Sequence, residues 1–286
     1  MIGSIPGYKP VLMIVGRPRL AKRGLSLAWH ALYHFFLPQF QTRLMPWLRP
    51  VAVLGHPLDR QIPFQPREVR AYLGYMGFWL RSLRLLYDLW GQAALPDIRR
   101  SIDQACLLYR EAGGIYRRCQ STTTTRPAMP LDPYFLAIYL FDPHLHCIPS
   151  LHILLICYNR HQLAEIFSRE NRLNADGLEA LLEAEEQAVR VTEAILSIRQ
   201  HSLVDIAPSL FLLTALLPGF GPKQVAEHVC RLFRGWKLPE QAKRSMRSFI
   251  LESYRELARE HEAGKKGGHR EVILRFLARY IPVAVA

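Results

Sequence analysis

The stretch AYLGYMGFWLRSLRLLYDLW, residues 71–90, constrains the fold more than any other. Its apolar residues recur every three or four positions, with Arg81, Arg84 and Asp88 punctuating them. That is the period of an α-helix, whose successive turns bring such residues onto one face. The same rhythm runs through most of the chain. Residues 25–36 are apolar and aromatic, and 176–200 predict a long helix with Asp176 as its N-cap. Glu179 and Glu183 fall in its early turns, where the helix dipole favours carboxylates, and read as a solvated face rather than as acid–base catalysts. The proline-rich stretch 46–66 and QSTTTTRPAMPLDP (120–133) read as loops, because prolines and β-branched residues oppose a helix. No strand alternation of useful length and no internal repeat appears. The expected fold is all-α, a bundle of about six main helices.

Beyond Gly221 the composition shifts toward three short basic amphipathic helices. Pro239 separates the first two, and AGKKGG (263–268) precedes the third. Residues 1–221 are therefore expected to form the bundle and 222–286 a basic helical extension. Lys and Arg clustered after the last apolar segment predict a cytoplasmic C-terminal segment if the protein resides at a membrane.

Charge narrows the partners. The chain has 286 residues, with 37 Lys and Arg against 24 Asp and Glu, a net charge of +13. Such a balance attracts anions: nucleic acid, phospholipid headgroups or phosphorylated substrates. Zinc-finger spacing, aromatic RNA-binding boxes and basic zippers are all missing, so no nucleic-acid partner is expected. The five cysteines form no Cys-x-x-Cys pair and read as reduced thiols. Residues 1–15 carry Pro6, Lys9 and Pro10 and lack a signal-peptide pattern.

Half the residues are hydrophobic and the mean hydropathy is +0.01, between an ordinary soluble protein and a polytopic membrane protein. Three apolar segments carry this character. Residues 24–42 include His30, His34 and Pro38; 143–158 include His144, His146 and His152; 202–221 include Asp205. A span needs about 20 apolar residues, and ionisable groups inside such segments are functional candidates. The expectation is a membrane-embedded or membrane-docked protein.

Three short pieces carry chemistry. Arg126-Pro127 holds a guanidinium in a loop, and a planar guanidinium binds phosphate oxygens in pairs. In HCIPSLHILLIC (146–157), Ser150 follows Pro149 and opens an apolar run. It should therefore stand at a helix N-terminus, where free N–H groups favour an anion. His152 lies in the first turn of that helix. His201 and Asp205, four apart, should share one face of a helix, where a carboxylate on one imidazole nitrogen leaves the other free to attack phosphorus.

Taken in order, TRP, PSLH and RQHSLVD resemble the three blocks of the type 2 phosphatidic acid phosphatase family, within the lipid phosphatase and haloperoxidase superfamily. The fuller stretch RPAMPLDPYFLAIYLFDPHLHCIPSLH is similar to its inositol-phosphotransferase-like branch. The resemblance covers about residues 126–205. It implies a phospholipid or isoprenoid-phosphate phosphatase, or a headgroup phosphotransferase, that needs no metal or other cofactor. It also implies the roles. His201 would form a phosphohistidine, Asp205 would orient it, and His152 would protonate the leaving group. Arg126, Ser150, the backbone N–H of Leu151 and Arg199 would hold phosphate oxygens. The chain departs from the family at the position six before His201, where Ile195 replaces an Arg, and at the position seven before Arg126, where Cys119 replaces a basic residue. Two other readings compete: a zinc hydrolase using His144, His146 and His152, and a non-catalytic helical membrane protein binding anionic lipid. A serine-hydrolase reading fails for want of a Gly-x-Ser-x-Gly elbow.

Overall fold

The computed structural model describes residues 1–124, 127, 132–169, 174–264 and 267–282. Its helices are α1 (Tyr8–Val15), α2 (Pro18–Ala31), α3 (Leu37–Leu44), α4 (Val69–Trp90), α5 (Leu95–Tyr116), α6 (Pro133–Phe141), α7 (Leu151–Ser168), α8 (Ala175–Ser197), α9 (Ile206–Leu216), α10 (Pro222–Arg231), α11 (Glu240–Glu262) and α12 (His269–Ala278). The all-α reading holds, and α4 matches the periodic stretch that predicted it.

The middle of the molecule is α7. Every residue from Leu151 to Asn159 is buried, and α8, α4, α9 and α5 pack around it. A helix apolar on all sides must be enclosed, and α7 and α9 are enclosed by protein. That accounts for two of the three apolar segments, 143–158 and 202–221, without lipid. Helix α9 has 11 residues, about 16 Å at 1.5 Å per residue, against a hydrocarbon core of about 30 Å. Among the described residues no helix is long and apolar enough to cross a membrane. The third segment, 24–42, differs: Leu25, Trp29, Leu32, Tyr33 and Leu37 are all exposed.

Two stretches read as loops contain strands. β1 (Val51–Leu54) and β2 (Gln120–Thr123) pair in parallel, with Val51 opposite Gln120. Four residues are too few for alternation to register, and the β-branched side chains that oppose a helix suit extended backbone. Ser121 also bridges to His146, which draws the 145–148 segment alongside β2. The N-cap of α8 is Asn174, whose Oδ1 accepts from the Gly177 N–H at 2.9 Å, so Asp176 lies in the first turn instead. Glu183 is also partnered, accepting from the N–H groups of Ile2 and Gly3 at 2.6 Å.

The basic helices beyond Gly221 fall where the pattern put them, although α11, at 23 residues, is long. Met246, Ile250, Leu257, Val272 and Ile273 join the same buried cluster as α7. Several of their cations are paired with acids of the bundle, among them Arg231 with Glu185 and Arg270 with Glu111.

Candidate active site

Helix α8 stops at Ser197, short of the expected Gln200. Arg199 takes a left-handed φ of 57°, and the carbonyl of Ile195 accepts from both the Gln200 and His201 N–H groups. The chain then enters one 3₁₀ turn, Leu203–Asp205, capped by Ser202. His201 and Asp205 are thus joined by a capped turn and not by an α-helix, which corrects the sequence reading. The pairing nevertheless forms. Asp205 Oδ2 lies 2.8 Å from His201 Nδ1 and accepts the Ser202 N–H at 3.2 Å, as the capping box requires. Asp205 is fully buried, and burial pushes its carboxyl up to about 6, with the His201 hydrogen bond pulling the other way.

Helix α7 opens beside this turn. Ser150 is its N-cap, as expected, and Leu151 its first residue. The Ser150 N–H donates to Ser209 Oγ at 2.8 Å, and Ser209 Oγ donates to the Asp205 carbonyl at 2.7 Å, so the start of α9 is tied to the start of α7. Ser150 Oγ is buried without a partner among the described residues. In the first turn of α7, the His152 ring lies 5.8 Å from that of His201, centroid to centroid. Tyr72 and Tyr75 of α4 enclose it at 4.0 and 4.3 Å. Burial holds the His152 imidazole well below its ordinary pKa, with the neighbouring His201 adding to the effect, so it is neutral at pH 7.

A cavity of about 410 Å³ opens onto His201, and Arg60, Thr123 and Arg199 line it. Neither Ser150 nor His152 lines it. Its far wall is the 56–61 turn, fastened to the His201 loop by Asp59. Asp59 Oδ2 accepts from Ser202 Oγ at 2.6 Å and from the His56 N–H at 2.8 Å, and Oδ1 accepts from the Leu203 N–H at 3.0 Å. Gln200 is fully buried next to His201, and neither polar atom of its amide has a partner among the described residues.

The sequence reading missed Asp59, Arg60, Gln200, Tyr72 and Tyr75. Only Asp59 left a local trace, in the three-residue offset from His56 that marks a capping box. Arg126 lies outside the described residues.

The competing zinc set, His144, His146 and His152, does not gather. His144, at a φ of 62°, has Nδ1 3.1 Å from Thr122 Oγ1 and Nε2 against the Gln200 carbonyl. His146 stacks on Tyr116 at 3.7 Å, and His152 faces His201. Among the described residues, the group with donor atoms close enough to share a metal is instead Cys147, His201 and Asp205, all within 4.8 Å of one another. No protein-family model, no curated protein and no solved structure matches this chain.

Proposed function

We propose that this protein transfers a phosphoryl group through His201, without a metal, from a phospholipid or prenyl-phosphate met at a membrane. Asp205 holds the proton on Nδ1, which leaves the Nε2 lone pair to attack phosphorus. As the N–P bond forms, the P–O bond to the alcohol breaks, and His152 delivers a proton to the departing oxygen. Water or a second alcohol then attacks the phosphohistidine and returns His201 to its starting state. Hydrolysis and headgroup exchange differ only in that second nucleophile.

His152 needs a proton to act as the acid, and burial holds the empty-site imidazole neutral. A phosphate dianion bound against His201, next to the His152 ring, supplies the negative charge that raises its pKa. The cradle for the phosphate oxygens is assigned to Arg126, Arg199, Ser150 Oγ and the Leu151 N–H, the last being one of the unpaired donors of a helix N-terminus.

One observation carries this reading: a buried His–Asp pair faces a second buried imidazole 5.8 Å away, beside a buried hydroxyl that no described residue satisfies. A purely structural core has little use for that combination, since each buried polar group left unpaired costs about 1–3 kcal/mol. The test is to incubate purified full-length protein with phosphatidic acid, prenyl diphosphates and phosphoinositol lipids, scoring free phosphate separately from headgroup exchange. Turnover with an acid-labile, base-stable phosphoprotein is expected, both lost in His201→Ala, and vanadate should inhibit. A His201→Ala protein that turned over at the wild-type rate would end the proposal. Insensitivity to chelators separates it from a metal enzyme built on Cys147, His201 and Asp205.

A further inference from the structure

We infer that α1, α2, α3 and the turn after them form a docking surface that lies in the headgroup layer of an anionic membrane without crossing it. The surface is separate from the His201 pocket, and the inference does not depend on the chemistry proposed there.

The first observation is an apolar face turned outward. Helix α1 buries Met13 and exposes Tyr8, Val11, Leu12 and Val15, the i, i+3, i+4, i+7 positions of a single helical stripe. Helix α2 repeats the arrangement: Leu20 is buried, whereas Leu25 is 73% exposed and Trp29 58% exposed. Leu44, at the end of α3, is 77% exposed, and Trp47, in the turn after it, 81%. Single exposed apolar residues need no explanation. Two amphipathic helices packed together, each with its apolar stripe outside, do.

The second observation is charge. Residues 1–50 contain seven cations (Lys9, Arg17, Arg19, Lys22, Arg23, Arg43 and Arg49) and no Asp or Glu. Among the described residues, Arg23 is the one of the seven that makes an ion pair, with Asp103, and Lys9, Arg19, Lys22 and Arg43 make none. The third is a groove of about 560 Å³ between α2 and α5, lined by Arg23, His30, Arg99, Arg100 and Arg110. Its one acid, Asp103, is held by Arg23 at 2.9 Å. The groove shares α2 with the apolar stripe, so phosphate headgroups would meet guanidinium groups where Leu25 and Trp29 reach the acyl boundary.

These features select the occupant. An amphipathic surface with aromatic and aliphatic residues on one face and unpaired cations beside it is what an interfacial helix needs. A second copy of the chain is a poor partner, because two surfaces so rich in cations, each with Asp103 as the groove's one acid, repel one another.

The experiment is flotation of the full chain with phosphatidylcholine vesicles, with and without roughly one-third phosphatidylserine. Binding should be at least about tenfold stronger to the anionic vesicles and should fall with salt. Trp29→Ser with Trp47→Ser should weaken it by about tenfold or more without changing Tm, because both side chains are exposed. The Trp29→Phe, Trp47→Phe pair should restore it. Arg99→Gln, Arg100→Gln and Arg110→Gln together should erase most of the preference for anionic lipid. His201→Ala should float like the wild type, so failure of the phosphoryl-transfer reading leaves this result standing. Equal recovery with neutral vesicles, or binding untouched by the Trp pair, would overturn the inference. So would a dimer in solution that the Trp pair dissociates, because a second copy would then own the face.

Discussion

Asp59→Ala isolates the clamp between the 56–61 turn and the His201 loop. The substitution leaves three donors without their acceptor: Ser202 Oγ, the Leu203 N–H and the His56 N–H. The Leu203 N–H belongs to a fully buried residue and has nowhere to turn. An orphaned buried donor costs about 1–3 kcal/mol. Ser202 keeps a role as acceptor from the Val204 N–H, and its hydroxyl hydrogen can rotate, so about 1 kcal/mol is assigned to it. His56 is partly exposed and exchanges its bond for water at little cost. The sum is about 2–4 kcal/mol, which at roughly 2 °C per kcal/mol for a large domain lowers Tm by about 4–8 °C.

That loss leaves the protein folded at 25 °C if its stability is within the ordinary range of about 5–15 kcal/mol. Turnover measured there reports the placement of His201 rather than the folded fraction. The clamp predicts a lower kcat together with the lower Tm, and partial recovery of both in Asp59→Asn, which keeps one acceptor oxygen. Differential scanning fluorimetry and steady-state kinetics on the same preparations decide it. An unchanged Tm refutes the count of buried donors. A lowered Tm with full kcat refutes the claim that Asp59 positions His201.

Asp205→Asn should lower kcat by about 10⁴, the scale seen when the Asp that fixes the imidazole of a serine-protease triad is neutralised in this way. Wild-type turnover should also fall as pH drops through about 6 and Asp205 takes a proton. Glu193 supplies a stability test: burial raises its carboxyl to about 7 while the Phe233 N–H donates to it. Because the folded protein holds that proton more tightly than the unfolded chain, stability from this group is full near pH 4 and lost as pH rises through 7. The amount is on the order of 3 kcal/mol, and Glu193→Gln should flatten that part of a urea-midpoint profile. Phe211→Ala empties a fully packed position in α9. It should cost about 3–5 kcal/mol, read as a lower urea midpoint; a loss under about 1 kcal/mol would mean that α9 is not the enclosed helix described.

Helical period was legible because it is a local property. The stripes at 71–90 and in the basic C-terminal region marked α4, α10, α11 and α12 without knowledge of what they touch. What encloses an apolar stretch is not local. Residues 143–158 and 202–221 have the composition of a helix in lipid, and they sit instead under layers contributed from across the chain. The parallel pairing of β1 and β2 was invisible for a related reason: Val51 and Gln120 meet across 69 positions, and neither strand is long enough to announce itself.

The site divides along the same line. Ser150, His152, His201 and Asp205 were found because each stands in a short stretch whose residue types suit one another, and such a stretch survives an error in the backbone assigned to it. The four-residue step from His201 to Asp205 shows this well. An α-helix would bring the two side chains to one face, but so does a capped 3₁₀ turn, in which the carboxylate reaches back to the Ser202 N–H and meets the imidazole on the way. Asp59, Tyr72 and Tyr75 belong to the other kind. Each acts on a residue about 80 to 140 positions away, and nothing in its own neighbourhood says so. The groups proposed to meet phosphorus were therefore readable one stretch at a time, while the groups that hold them in place became visible only once the chain had closed on itself.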